Sequence, residues 1–546
     1  VWEGPIGTEA EEQTRGVLPY TLCLQLLHHL LQPNRYLEIG VRDGTSLVLA
    51  NCESFSVDPF PVIDRPISKN AKLVEATSDA YFEVTPVDPD APFDLVFIDG
   101  MHHSDFALRD FANAERRCRP GAVIVFDDIL PSHPKQTLRD RQTGTWTGDV
   151  WKIAFVLRKW RPDLRLIELD THPTGLLLVA NLDPASSVLA DNLDAIVNEM
   201  EQMVDVPGSV LERSSAIRPT RRNIVQALTP AVFRLGWQPL ELSVMVVSYD
   251  ASLGLPRLLR SLSPQFQQGV AREKYEILLM DLGSGSPLDR SGLEAIAPNL
   301  FVATLPGPSR STNEALRMAL FLAGSDFLGL IADESVIVSP GLLASAIEFR
   351  QEHPKAVIGV HSFELAPKKS PFNLIEGYGP VAERKFLDSL GWEQDGYRLF
   401  EFSELVDSSK QGWHSLPLDP KMIFMEAESW EPTPLPFATD LSVWPDLCLN
   451  SDIEIGIMIG EGVFSWIAAK NPLQRPNPTP PLIKVGAPLQ QGNSYIAPTG
   501  STDKASHLRA YFGNERRINV SGNALHHAII KLRGILARLA ASRRPR

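Results

Sequence analysis

Three carboxylates and a histidine are the residues of this chain best placed to do chemistry. Asp99 closes the apolar run FDLVFID (93–99), and Asp127 and Asp128 close the next, AVIVFDD (122–128). His102 follows Asp99 by three residues. Short apolar runs of this kind read as buried strands, and in an open parallel sheet the carboxyl ends of strands face the ligand crevice. Acids converging there repel one another unless a hard cation binds, and oxygen donors favour Mg2+ or Ca2+. A cation so held can grip two neighbouring sugar hydroxyls and lower the pKa of one. His102 is near enough in sequence to take that proton as general base. Plainer readings stay open: an Asp pair can cap a loop, and the His102–His103 doublet can be surface.

A second group sits on YLEIGVRDGTS (36–46), where Glu38, Gly40 and Gly44 fall on a strand-to-helix turn. Glycines there let a backbone approach a ligand closely, and an acid at the strand end can accept from an ammonium group. Asp58 ends the following apolar run, where a carboxylate suits a ribose diol. A glycine turn alone is as compatible with a purely structural role.

The elements that must position these residues form two α/β series. The first has strand candidates at 35–40, 54–58, 72–76, 93–99, 122–128, 164–170 and 175–182, with a closing helix over 188–204. Residues 206–238, rich in Pro, Ser and Arg, read as a linker. The second series has strand candidates at 242–250, 275–281, 300–305 and 326–335, with helices over 255–262 and 312–323. The expected division is therefore 1–205, a linker 206–238, a second domain 239–500 and a basic helical tail 501–546.

With these motifs in place, residues 20–183 resemble class I S-adenosylmethionine-dependent methyltransferases, in the branch of Mg2+-requiring sugar and macrolide O-methyltransferases. The glycine turn, the FIDG-x-H segment and the Asp pair carry the resemblance, and the branch also includes hydroxylases. It implies S-adenosylmethionine at Glu38, Gly40, Gly44 and Asp58, with Ser78 and Asp79 toward the adenine. It further implies a metal on Asp99, Asp127 and Asp128, with His102 as base. Trp146, in the loop TGTWTGD (143–149), suits either a sugar-stacking lid or simple packing.

Residues 240–470 resemble family 2 glycosyltransferases of the GT-A fold, through LSVMVVSYD (242–250), YEILLMDLGSGSP (275–287), the helix–strand stretch 309–335 and the segment 428–468. The resemblance implies nucleotide-sugar binding by Asp250, Asp281 and Asp333, with Mn2+ or Mg2+ on Asp333 and Asp452 as the base. Three positions depart from the pattern: Leu282 and Ser335 stand where acids are usual, and Ser451 precedes Asp452. The fold class expected overall is α/β, two doubly wound Rossmann-like domains (class I methyltransferase, then GT-A) with a C-terminal helical tail.

Composition bounds the function. A chain of 546 residues with a net charge of −14 and 22% charged residues is an ordinary multidomain globular protein, and its acidity argues against general nucleic-acid binding. The four scattered cysteines form no CxxC pair, which suits a reducing, cytoplasmic setting. The chain opens on Val1 and not Met, so the native start is expected upstream. From Ala505 onward nine basic residues meet one acid, so the −14 combines a +8 tail with a −22 body. The stretch 523–539 has the spacing of an amphipathic helix, suited either to an anionic membrane surface or to docking on the acidic body. The expected function is a bifunctional glycan-modifying enzyme that methylates a sugar hydroxyl and transfers a sugar from a nucleotide donor to a glycan or lipid-linked glycan. A methyltransferase with a noncatalytic glycan-binding module and a natural-product tailoring enzyme are the alternatives, and homo-oligomerisation stays open.

Overall fold

The computed structural model describes Gly4 and residues 7–232, 239–248, 254–282, 288–305, 312–331, 334–365, 380–405, 421–430, 455–466 and 494–496. The chain divides into two compact units, Val1–Trp237 and Gln238–Arg546. Among the described residues, no helix is long and apolar enough to cross a membrane. Asp250, Asp333, Asp452 and the basic tail lie outside the described residues.

In the first unit seven strands form one sheet: β1 (Arg35–Ile39), β2 (Glu53–Val57), β3 (Ala71–Val74), β4 (Phe93–Ile98), β5 (Cys118–Phe126), β6 (Arg165–Leu169) and β7 (Leu176–Ala180). Their spatial order is β3-β2-β1-β4-β5-β7-β6, with β7 antiparallel to both of its neighbours and the rest parallel. Every residue of β4 and β7 is buried, which explains why these runs, apart from Asp94 with its hydrogen-bonded carboxylate, are apolar and do not alternate. The order steps outward from β1 in one direction and from β4 in the other, so the crevice opens at the carboxyl ends of β1 and β4.

Helices α1 (Tyr20–Leu31), α2 (Ser78–Val84), α3 (Ser104–Glu115), α4 (Lys152–Trp160) and α5 (Leu193–Gln202) accompany this sheet. Phe111 of α3 stacks on Phe126 of β5 with ring centroids 5.9 Å apart, which anchors α3 directly behind the strand that ends in the Asp pair. The helix expected over 188–204 is interrupted at Asn192, with a single turn before it and α5 after it.

The segment read as a linker behaves differently from that expectation. Between 206 and 232 it holds a turn of helix (Gly208–Leu211) and α6 (Arg221–Leu228), and Ile224, Val225 and Leu228 are buried. Ile217 exchanges backbone hydrogen bonds with the β6 edge, donating to Glu168 O at 2.9 Å and accepting from Asp170 N at 3.0 Å. Low apolar periodicity concealed this because side chains such as Arg213 are buried through hydrogen bonds and not through an apolar stripe.

The second unit is also mixed α/β. Its described strands are β8 (Leu242–Ser248), β9 (Tyr275–Asp281), β10 (Leu300–Thr304), β11 (Phe327–Ile331), β12 (Ile337–Val338), β13 (Val357–Leu365), β14 (Ser403–Leu405), β15 (Met422–Glu426), β16 (Ile455–Trp466) and β17 (Ser494–Ile496). The sheet runs β10-β9-β8-β11-β15-β13-β16-β12, with β14 on β13 and β17 on β16. Strands β10, β9, β8 and β11 are mutually parallel, and β15 reverses direction against β11. Helices α7 (Leu255–Leu262) and α8 (Thr312–Leu322) fall where the sequence pattern places them.

A buried ion pair ties the first unit's helical layer together. Arg161, just past α4, meets Glu115 of α3 through two hydrogen bonds of 2.6 and 2.9 Å, with side chains 2% and 3% exposed. Removing Glu115 leaves the buried guanidinium with the half-exposed Asp163, 2.8 Å away, as its carboxylate partner, a large loss for a charge in low dielectric. Glu115→Ala should therefore lower the unfolding free energy by about 3 kcal/mol in urea denaturation. Loss of less than 1 kcal/mol would contradict that reading.

Candidate functional site

Strands β4 and β5 are in register at Ile98 and Phe126, so the acids just past each end lie side by side. The backbone then bends both segments into the crevice: Asp128 and His102 hold φ of 64° and 57°, the left-handed region that side-chain-bearing residues rarely occupy. His102 Nδ1 comes within 2.6 Å of Asp128 Oδ2, an ion-pair approach, and Nε2 lies 3.8 Å from Asp99 Oδ1. Donor atoms of Asp99, His102 and Asp128 all lie within 4.8 Å of one another, close enough to share one metal ion.

Asp127 does not join that group. Its Oδ1 accepts the Asp128 amide at 2.8 Å and its carboxylate also takes the Thr174 hydroxyl, so it holds the turn that aims Asp128. The sequence placed three acids at the strand ends, and the geometry brings two of them together with the histidine.

The electrostatics are those of crowded acids. Burial and then the neighbouring Asp127, Asp128 and Glu38 push the Asp99 carboxyl well above the usual range. Burial and then Asp128 do the same to Asp127. The Tyr20 phenol, which the sequence reading missed, is pushed far up by burial and then by Asp99 and Asp127. It stacks on Phe97 of β4 at 6.2 Å. A tyrosine at the start of an N-terminal helix carries no local signal that it will face a site 79 residues on. A narrow pocket lies beside the cluster, lined by Asp99, Met101, His102, Asp110, Asp127 and Asp128 among others.

The loop 133–150 buttresses His102. Trp146 stacks on its ring at 4.9 Å and 15°, and the indole donates to Leu138 O at 2.6 Å. Gly148 (φ +53°) lies so close beneath that a Cβ there would stand 1.7 Å from His102 O. Asp149 accepts the Ser104 amide at 2.7 Å and pairs with Lys152 at 2.9 Å and Arg139 at 3.2 Å, which fixes the start of α3 against the loop. Trp146 thus packs on the candidate base.

The glycine turn is tight. Gly40 (φ +87°) donates to Val57 O at 2.9 Å, and a Cβ on it would meet Asp99 O at 2.0 Å, so only glycine lets β1 and β4 end this close. Gly44 has φ +82°. Asp58 Oδ2 accepts the amides of Val41 and Arg42 at 2.9 and 2.8 Å, and Oδ1 accepts Phe60 N at 2.7 Å, so this carboxylate shapes the turn itself. Glu38 is fully buried, with its oxygens taken by Tyr36 Oη at 2.9 Å and Ser46 Oγ at 2.6 Å. It braces the turn through these two bonds.

Ser78 hydrogen-bonds Asp110 on α3, and Asp79 pairs with Arg109 at 3.1 Å. In the second unit Asp281 ends β9, is buried, and receives Thr304 Oγ1 at 3.4 Å. Arg290 donates to the same hydroxyl at 3.1 Å.

Two buried acids give the first unit a pH signature. Burial pushes Glu38 and Asp110 up to about 7 from 4.5 and 3.8. A carboxyl whose folded pKa is raised binds its proton more tightly when folded, so its contribution is complete at low pH and lost as pH climbs toward the folded value. Stability of the first unit should fall between about pH 4.5 and 7, with Glu38 contributing on the order of 3 kcal/mol. Denaturant titrations at several pH values should show a shallower decline in Asp110→Asn. A stability that rises across this interval would contradict the assignment.

Residues 37–129 match a family model described as a methyltransferase domain, a match to less than half of the chain. No curated protein matches the chain. Among solved structures, the O-methyltransferase from Bacillus cereus in complex with SAH is 16% identical, covering 31% of this chain and 84% of its own, at a TM-score of 0.24. The O-methyltransferase TomG from Streptomyces achromogenes, involved in tomaymycin synthesis and in complex with SAM, is 21% identical over 30% of this chain and 80% of its own, at 0.24. S. aureus TarS 1–349 is 23% identical over 25% of this chain and 37% of its own, at 0.20, so little more than a third of that protein is matched. Scores of this size carry no argument about substrate. Residues 37–129, which include the glycine turn, Asp99, His102 and the Asp pair, are thus the part of the chain that is similar to a methyltransferase domain.

Proposed function

We propose that the first unit is an S-adenosylmethionine-dependent O-methyltransferase acting on a sugar hydroxyl with the help of a divalent cation. The observation that carries this reading is the Asp99–His102–Asp128 cluster at the ends of adjacent parallel strands, beside the glycine turn. The donor set fits a cation: two carboxylates and an imidazole share one small volume, and burial followed by its acidic neighbours pushes the Asp99 carboxyl well above its ordinary range. Asp99 and Asp128 would hold Mg2+, which when bound lowers the pKa of a ligated hydroxyl.

The turn residues Gly40 and Gly44, with Asp58, would hold S-adenosylmethionine, whose sulfonium methyl is open to in-line attack. With Nδ1 turned to Asp128, His102 keeps Nε2 to receive the acceptor's proton. Asp128 steadies the imidazolium that results. Trp146 stacks on one face of the imidazole and holds its orientation. Tyr20 and Asp127 stay protonated and turn-bound respectively, and so position without taking part.

The second unit, in this reading, transfers a sugar from a nucleotide donor to a glycan or lipid-linked glycan, through Asp250, Asp281, Asp333 and Asp452 with Mn2+ or Mg2+. Asp281 at the carboxyl end of β9, flanked by parallel β8 and β10, supports it. Leu282, buried at 5% exposure in place of an acid, favours a second reading: a noncatalytic glycan-binding module. Nucleotide-sugar hydrolysis that disappears in Asp452→Asn would select the enzyme, and donor binding without turnover would select the module.

Radiolabelled methyl transfer to a panel of sugar acceptors tests the first unit. Activity should require Mg2+ and stop with chelator, and His102→Gln should lose about 10²- to 10⁴-fold in kcat. S-adenosylhomocysteine affinity should survive that substitution. Transfer indifferent to both chelator and His102→Gln would overturn the reading.

A further inference from the structure

Arg213 lies in the segment whose composition resembles a linker, yet it is one of the most tightly held cations in the first unit. Its Nη1 donates to Asp170 Oδ1 at 2.7 Å and Thr171 O at 3.1 Å, and its Nη2 donates to Leu130 O at 3.0 Å and Pro173 O at 2.8 Å. The guanidinium thereby pins two loops to each other: the one after β5, which begins with Asp127 and Asp128, and the 170–175 turn between β6 and β7.

These loops also meet directly. Leu130 N donates to Thr174 O at 2.7 Å, and Gly175 (φ +73°) lets the turn lie against Leu130, where a Cβ would stand 2.5 Å from that side chain. The Thr174 hydroxyl binds the Asp127 carboxylate, and Asp127 Oδ1 holds the Asp128 amide. Asp128 then meets His102.

We propose that Arg213 is a positioning residue for the acid–histidine centre, acting through Thr174 and Asp127 to hold Asp128 at its left-handed turn, and that it sets the affinity of the centre for a divalent cation. The inference rests on the cation reading above. All four hydrogen bonds fall on these two loops: Leu130 stands two residues past Asp128, and the 170–175 turn reaches Asp127 through the Thr174 hydroxyl. Outer groups that orient a ligand typically change metal affinity by about 10- to 100-fold when removed.

The test is calorimetric titration of the full chain with Mn2+, alongside separate titration with S-adenosylhomocysteine. Arg213→Met and Thr174→Val should each weaken Mn2+ binding by about 10- to 100-fold and leave S-adenosylhomocysteine affinity at the wild-type value. Arg213→Lys, which keeps the charge but loses the fork, should fall between. Where Arg213→Met does not fold by circular dichroism, Thr174→Val decides, because it cuts the same relay at a smaller residue. Wild-type Mn2+ affinity in Thr174→Val and Arg213→Met overturns the inference and leaves the cation reading intact. A parallel loss of both affinities also overturns it, since that is the mark of general loosening. Absence of Mn2+ binding in the wild type overturns the cation reading and this inference together.

Discussion

Like-charge repulsion at the end of one pair of strands is the constraint around which the first unit is arranged. Parallel register between β4 and β5 places Asp99 beside Asp127 and one residue from Asp128, with Glu38 beneath. Nothing in the sheet compels acids at these positions, and burial makes them costly. Partial relief comes from a histidine drawn back over the pair on an unfavourable φ and from hydrogen bonds that occupy Asp127. Charge of this density is retained where it serves a site, since perturbed acids cluster at functional centres.

The rest of the unit reads as support for that arrangement. Gly40 lets β1 approach the carbonyl of Asp99, and Gly148 lets the 133–150 loop close under His102. Glu12 extends this support to the N-terminal segment, accepting the amides of Gly144 and Thr145 at 2.7 Å each, on either side of which the loop turns toward Trp146. The lock on loop 170–175 comes from the far end of the unit's chain, through Arg213. Elements separated by two hundred residues therefore converge on the same few atoms.

Much of this was legible in the sequence, and the reasons are physical. Apolar runs, those of β2, β4, β5 and β6 ending in Asp, mark strands with polar ends, so the positions of β1 to β7 followed from patterning, whereas the antiparallel setting of β7 did not. Which acid faces the crevice did not. Asp127 and Asp128 are chemically identical neighbours, and only the left-handed turn at Asp128 sends one to the histidine and the other to the backbone. Glu38 and Asp58 were placed at the right turn, but their oxygens are spent on Ser46, Tyr36 and backbone amides, a matter of side-chain direction that spacing does not encode. Tyr20 and Arg213 were invisible because their partners are distant in sequence. In the second unit the parallel order of β8, β9 and β10 agrees with the apolar runs, whereas Asp250, Asp333 and Asp452 fall outside the described residues.

The central claim is that the crowded acids carry a proton which a cation displaces. It is tested most directly by measuring proton release on Mg2+ binding, through calorimetry at neutral pH in two buffers of different ionisation enthalpy. The account predicts that Mg2+ binding releases about one proton per chain and that Asp99→Asn abolishes the release. Mg2+ binding with the same heat in both buffers, or no binding at all, would contradict it.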